Sequence, residues 1–131
     1  MDSRMIVDMK KIIDDVETSS NQSQAWCMFD TNEDTCWFSG HGTQQSIDIY
    51  LKQTLYLQKI RIFFQRGFHC TKGKGYAASN HFSGYTRMEF HNGGSMGCLD
   101  INRDGDHIKI VLEEGADMYN RYCIYRISLD F

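Results

Sequence analysis

From Gln45 onward, apolar and polar positions alternate with a period of two. Ile47, Ile49 and Leu51 alternate with Ser46, Asp48 and Tyr50, which predicts a half-buried strand. Leu55, Leu57, Ile60, Ile62 and Phe64 alternate with Lys59, Arg61 and Phe63 in a second, longer strand. Met88 and Phe90 predict a short strand ahead of His91-Asn92-Gly93-Gly94, a hairpin-turn signal. Ile108, Ile110 and Leu112, then Cys123, Tyr125, Ile127 and Leu129, predict two more. The first residues differ. Met5, Ile6, Met9, Ile12, Ile13 and Val16 recur at helical spacing. They predict a short amphipathic helix, or a tail over residues 1–12 that runs into a first strand near residues 13–18. Residues 19–24 are loop by composition, and residues 66–84, rich in Gly, Ser, Asn and His, are expected to form one long loop. Six or so strands with almost no helix predict an all-β sandwich over residues 13–131.

The chain turns on one stretch, Phe29-Asp30-Thr31-Asn32-Glu33-Asp34-Thr35-Cys36-Trp37, closed by Gly40-His41-Gly42. Its apolar ends enter a core on either side of a tight polar turn. Oxygen-bearing side chains at Asp30, Asn32 and Asp34 can hold a cation or cap a backbone corner.

Composition narrows the function classes. The chain has 131 residues, enough for one domain with its own core. A net charge of −3 gives no footprint for a nucleic-acid backbone or an anionic membrane. No apolar run approaches the roughly 20 residues of a membrane span. Met1-Asp2-Ser3-Arg4 does not begin a signal peptide. The five cysteines, 27, 36, 70, 98 and 123, lack CxxC spacing and are expected to be free thiols in a reducing compartment. A cytoplasmic or nuclear protein is expected.

Several motifs dissolve on inspection. Asp30-Asn32-Asp34 and Asp100-Asn102-Asp104-Gly105 both start like an EF-hand loop, but position twelve is His41 in one and Val111 in the other. Neither supplies the bidentate carboxylate, and the second is expected to be a β-turn. His69-Cys70 and His91 with Cys98 have no partner motif for zinc. Gly73-Lys74-Gly75 lacks the rest of a phosphate loop. No oxyanion-hole or nucleophile-elbow signature occurs, so no catalysis is expected.

Phe29-Asp30, Asp34-Thr35-Cys36-Trp37, Gly42 and Gln44, followed by Ile60 to Phe68, together resemble the discoidin (F5/8 type C, galactose-binding-like) jelly roll. The Phe64-Gln65-Arg66-Gly67-Phe68 segment and the block from Ile108 to Tyr125 are similar, more narrowly, to the small intracellular nuclear-receptor-associated family. The likeness covers roughly residues 13–130. It implies an eight-stranded jelly roll, no catalysis, and repression of an orphan receptor's transcriptional activity by direct binding. It also implies a structural calcium at Asp30, Asn32 and Thr35, with a Glu of the final strand as a further ligand. Arg126 stands at that position here, and an Arg126–Asp30 ion pair is expected to replace the metal, leaving the chain without a cofactor.

Contact with a protein partner, a nuclear receptor on this likeness, is expected on the 65–85 segment. There Arg66, Phe68, His69, Lys72, Lys74, Tyr76, His81, Phe82 and Tyr85 mix cations with aromatics, the composition of interface anchors. The plainer alternative has Phe68 and Phe82 plugging the end of the sandwich. A second function class is a lectin-like module that takes a glycan or phosphate through Trp26, His41, Arg66 and the 66–84 loop. A third is a scaffold subunit of a larger complex.

Overall fold

A computed structural model describes residues 9–131 except 31, 33, 43, 80–85 and 94, and residues 86–93 by their backbone. A single helical turn, α1 (Met9–Ile12), runs directly into β1 (Ile13–Thr18). Of the apolar positions that suggested a helix, Ile13 and Val16 both face the core from β1. A spacing of three on one strand face requires an extra residue, and the register shifts between Ile13 and Asp15 to supply it. Met5 and Ile6 lie outside the described residues. The loop expected at 19–24 is shorter than its composition suggests. After Asn21, at φ 50°, a 3-10 helix (Gln22–Met28) buries Ala25 and Met28.

Six further strands complete the fold: β2 (Trp37–Phe38), β3 (Gln45–Phe64), β4 (Cys70–Ala78), β5 (Thr86–Gly93), β6 (Met96–Gly115) and β7 (Cys123–Asp130). The first half of β3 pairs with β1 (Val16↔Ile49) and with the second half of β6 (Ile47↔Ile110). Past a register break between Tyr50 and Leu55, β3 pairs instead with the first half of β6 (Ile60↔Leu99) and with β7 (Ile62↔Ile127). β3 and β6 thereby run through both layers of a jelly-roll sandwich, so the two strands expected at 47–51 and 55–64 are one bent strand. β4 and β5 extend one layer, β2 edges β7, and β5 and β6 close a hairpin at Gly93↔Met96. Seven strands lie among the described residues, two of them 20 residues long.

Between the layers lie Ile47, Ile49, Ile60, Ile62, Ile108, Ile110, Ile124 and Ile127, all fully buried with Trp37. Each such side chain contributes roughly 1.5–3 kcal/mol. Trp37 is the core anchor its context predicts. Its indole N–H, which would be costly to leave unpaired, donates to the Ser20 carbonyl at 2.9 Å.

Two loop assignments are corrected. Residues 70–78 form β4, with Cys70, Gly75 and Ala77 facing inward. A Cβ on Gly75 would stand 2.7 Å from Leu99 Cδ1, so this strand uses small residues because the opposite layer leaves no room. Asp100–Gly105 is not a chain-reversing turn but an irregular stretch of β6. Asn102 takes φ 50° there, and the pairing slips between Leu57 and Lys59.

Candidate functional site

Three connections meet at one end of the sandwich: residues 39–44, 65–69 and 116–122. Backbone hydrogen bonds lash them together. Ser39 N–H donates to the Tyr122 carbonyl at 2.8 Å, Gly42 N–H to Tyr119 at 3.4 Å, and Ala116 N–H to His69 at 3.0 Å. Cys123 N–H donates to the Phe68 carbonyl at 3.2 Å, and Gln65 N–H donates to the Cys123 carbonyl at 2.9 Å. Ser39 Oγ accepts Tyr122 N–H at 2.8 Å. Paired backbone of this kind holds loops in one conformation.

On this base sits an aromatic–guanidinium stack. Phe38 and Phe68 meet at 5.2 Å. The Arg121 guanidinium lies 5.6 Å from the Phe68 ring centre and 5.4 Å from that of Tyr119, within cation–π range. Asp117 receives both Arg121 Nε, at 2.8 Å, and Nη2, at 3.1 Å. This side-chain pairing is the main reason its carboxyl is held down to about 2. Between clamp and stack, Met118 is 82% and Tyr119 61% exposed. Beside them, the turn Gln65–Phe68, closed by Phe68 N–H to the Gln65 carbonyl at 2.9 Å, lifts Arg66 into solvent. Gly67, at φ +91°, supplies the backbone angle that this turn requires. His41 is exposed on the neighbouring loop.

The structure thus places His41 on the first of these connections and Arg66, Phe68 and His69 on the second, and puts Lys72, Lys74 and Tyr76 on a strand. Phe68 is half-buried, with the Arg121 guanidinium over its ring. His69 is half-buried, with its Nδ1 lacking a partner among the described residues. Lys72, Lys74 and Tyr76 belong to β4, where Lys74 reaches Glu113 at 3.8 Å and Tyr76 stands opposite Lys109. His81, Phe82 and Tyr85 lie outside the described residues. Trp26 lines an open depression of about 520 Å³ with Lys10, Ile13, Asp14 and Lys52. Ile13 pairs with Leu51, six residues along β3 from Gln45, whose side chain reaches Gly40 beside His41. At about 3.3 Å per residue, those two β3 positions are roughly 20 Å apart. Sequence reasoning missed Phe38, Asp117, Met118, Tyr119 and Arg121. The available signal was an acid and a base four residues apart, bracketing an apolar pair.

At the polar corner, the oxygens are turned on the corner itself. Asp30 Oδ1 accepts Asn32 N–H at 3.0 Å, and Oδ2 accepts Thr35 Oγ1–H at 2.7 Å. Asn32 Oδ1 accepts Asp34 N–H at 2.9 Å. The expected Arg126–Asp30 pair is corrected: Arg126 is exposed and lies 4.6 Å from the Phe63 ring centre, across the strand pair Phe63↔Arg126. Among the described residues, no three His, Cys, Asp or Glu side chains are grouped to hold a metal.

Burial pushes the thiols of Cys70, to about 11, and Cys123, to about 12, well above their ordinary range. Burial and Asp100 raise Cys98 as well. Protonated thiols are poor nucleophiles.

No family model matches the chain. The nuclear receptor 2C2-associated protein of Bos taurus is 26% identical over 105 residues, covering 78% of this chain and 75% of that protein. Module CpGH89CBM32-5 of Clostridium perfringens, solved in complex with GalNAc-beta-1,3-galactose, superposes with a TM-score of 0.71 at 16% identity, covering 89% of this chain and 94% of the module. The family 32 carbohydrate-binding module of C. perfringens NanJ, in complex with galactose, gives 0.69 at 17% identity, covering 88% and 91%. The chain shares the jelly-roll fold of these modules.

Proposed function

We propose that this chain is a non-catalytic protein-interaction module that binds its partner through the end carrying Met118, Tyr119, Arg66 and His41. The observation behind this reading is the exposure of Met118 and Tyr119 on a loop already held by the Asp117–Arg121 pair. Large apolar side chains exposed on a rigid base are what interface hot spots are made of, because little conformational freedom is lost on binding. Raised thiol pKa values at Cys70, Cys98 and Cys123 speak against thiol catalysis. The name of the Bos taurus relative makes a nuclear receptor the partner class to test first, and repression of its transcriptional activity in the nucleus or cytoplasm the finer role.

The test is a binding titration of the full chain against a purified nuclear receptor of the type named for that relative. Met118→Ala/Tyr119→Ala should weaken binding about tenfold or more while leaving the melting temperature unchanged. Unchanged affinity in the double variant would move the interface off this end.

A second reading is favoured by one observation: His41, Arg66 and Tyr119 are all exposed on the connections of this end, residue types able to bond and stack on a sugar ring. Both solved neighbours carry galactose-containing ligands. Galactose titration followed by tyrosine fluorescence separates the readings. A saturable change that Tyr119→Ala removes supports the glycan module, and a flat response supports the protein partner.

The Asp30 corner we read as closed by its own hydrogen bonds, with calcium dispensable.

A further inference from the structure

We propose that Cys36 and Cys123 form an oxidisable thiol pair, which a hydroperoxide converts into an intramolecular disulfide between the approach to β2 and the first residue of β7. The two sulfurs lie 3.1 Å apart, with Cys123 S–H donating to Cys36 Sγ. A bonded pair stands at about 2.05 Å, so about an ångström of travel closes the bridge. Cys36 sits just outside the β2–β7 ladder, whose two pairs are Trp37↔Ile124 and Phe38↔Cys123. Its backbone is not tied by that ladder and can supply the movement. Of the other three cysteines, Cys27 belongs to the 3-10 helix Gln22–Met28. Cys70 is buried with its thiol on the Lys72 carbonyl at 3.0 Å, and Cys98 points at Asp100 at 3.9 Å.

Exposure assigns the order of events. Cys36 is partly exposed, whereas Cys123 is 1% exposed, so the oxidant meets Cys36 first. The Cys36 sulfur attacks one oxygen of hydrogen peroxide, the O–O bond breaks, and a sulfenic acid and one water result. The Cys123 sulfur then attacks the Cys36 sulfur. The S–S bond forms, the S–O bond breaks, and the hydroxyl leaves as a second water with the Cys123 proton. In sum, two thiols are oxidised and one peroxide is reduced to two waters. The bridge joins the Asp30 corner to the residue whose backbone bonds Phe68 and Gln65, so oxidation acts at the root of the binding end. The proposal does not depend on what that end binds.

The experiment treats the full chain with hydrogen peroxide, alkylates the remaining thiols, and measures intact and peptide masses without reductant. The expected product retains three alkylatable cysteines of the five, contains one peptide linked through Cys36 and Cys123, and returns to the starting form with dithiothreitol. Cys36→Ser should abolish the linked peptide. A bridge between any other pair, sulfinic acid on single cysteines without a bridge, or five thiols still alkylated would each overturn the proposal.

Discussion

Arg121 grips Asp117 through two parallel hydrogen bonds, Nε to Oδ2 at 2.8 Å and Nη2 to Oδ1 at 3.1 Å, with Met118 and Tyr119 between them. Asp117 Oδ2 also accepts the backbone N–H groups of Tyr119, at 3.3 Å, and Arg121, at 3.2 Å. One carboxylate therefore shapes the whole tip of the β6–β7 connection, and the guanidinium it holds is the same one that stacks on Phe68 and Tyr119.

The clamp has a pH signature. The Asp117 carboxyl is held down to about 2, first by Arg121's side-chain hydrogen bond. A depressed carboxylate stabilises the folded loop fully above its unfolded value of about 3.9 and loses that contribution as pH falls towards 2. The tip should therefore keep its conformation down to about pH 4. A carboxyl titration by NMR is expected to place the Asp117 midpoint near 2, and Arg121→Gln should raise it. A wild-type midpoint near 4 would mean that the clamp does not form in solution.

Tyr122 is fully buried at the root of the same end, and its hydroxyl has no hydrogen-bond partner among the described residues. Leaving a buried polar group unpaired costs about 1–3 kcal/mol. Tyr122→Phe, which keeps the ring and removes the oxygen, should leave urea-unfolding stability unchanged or raise it by about 1 kcal/mol. A loss of more than about 1 kcal/mol would reveal a bonded hydroxyl.

Gly115, the last residue of β6, is packed too closely for a side chain. A Cβ would stand 2.9 Å from Tyr122 Cε1 and 3.3 Å from the His69 carbonyl oxygen. One neighbour is a fully buried ring and the other is backbone, so neither yields cheaply. Gly115→Ala should cost about 1–3 kcal/mol by denaturant titration. Stability within about 0.5 kcal/mol of wild type would contradict the packing.

At the corner, Thr35 Oγ1 donates to the Asp30 carboxylate at 2.7 Å. Thr35→Val should destabilise by about 1.5–3 kcal/mol, the range for a hydrogen bond to a charged group. If the corner is self-closed, millimolar calcium and a chelator should give superimposable thermal melts. A melt that rises with calcium would restore the metal.

Tyr119 shows why half of the candidate site escaped the sequence. It lies in a segment without strand periodicity, and its place at this end comes from the bond of its carbonyl to Gly42, 77 positions earlier in the chain. Loops joined by backbone bonds such as Gly42 N–H to the Tyr119 carbonyl leave no local pattern. β4 escaped for a different reason. Composition assigns glycine and small polar residues to loops, whereas Gly75 is small because Leu99 faces it across the core. The 65–85 segment consequently divided into an end turn, a strand and residues outside those described.

What the sequence determined by itself were the features written in local chemistry. Period-two alternation marked β3, the end of β6 and β7, because a half-buried strand needs apolar residues on one face. The Asp30–Thr35 corner and the Gly93 hairpin were readable because turns demand particular residue types. Only the tertiary structure decided that two expected strands are one bent β3, that Arg126 rests on Phe63 and not on Asp30, and that residues 70–78 form a strand. Each of those depends on which distant residues the two layers bring into register, and pairing across the sheet is a property of the folded chain.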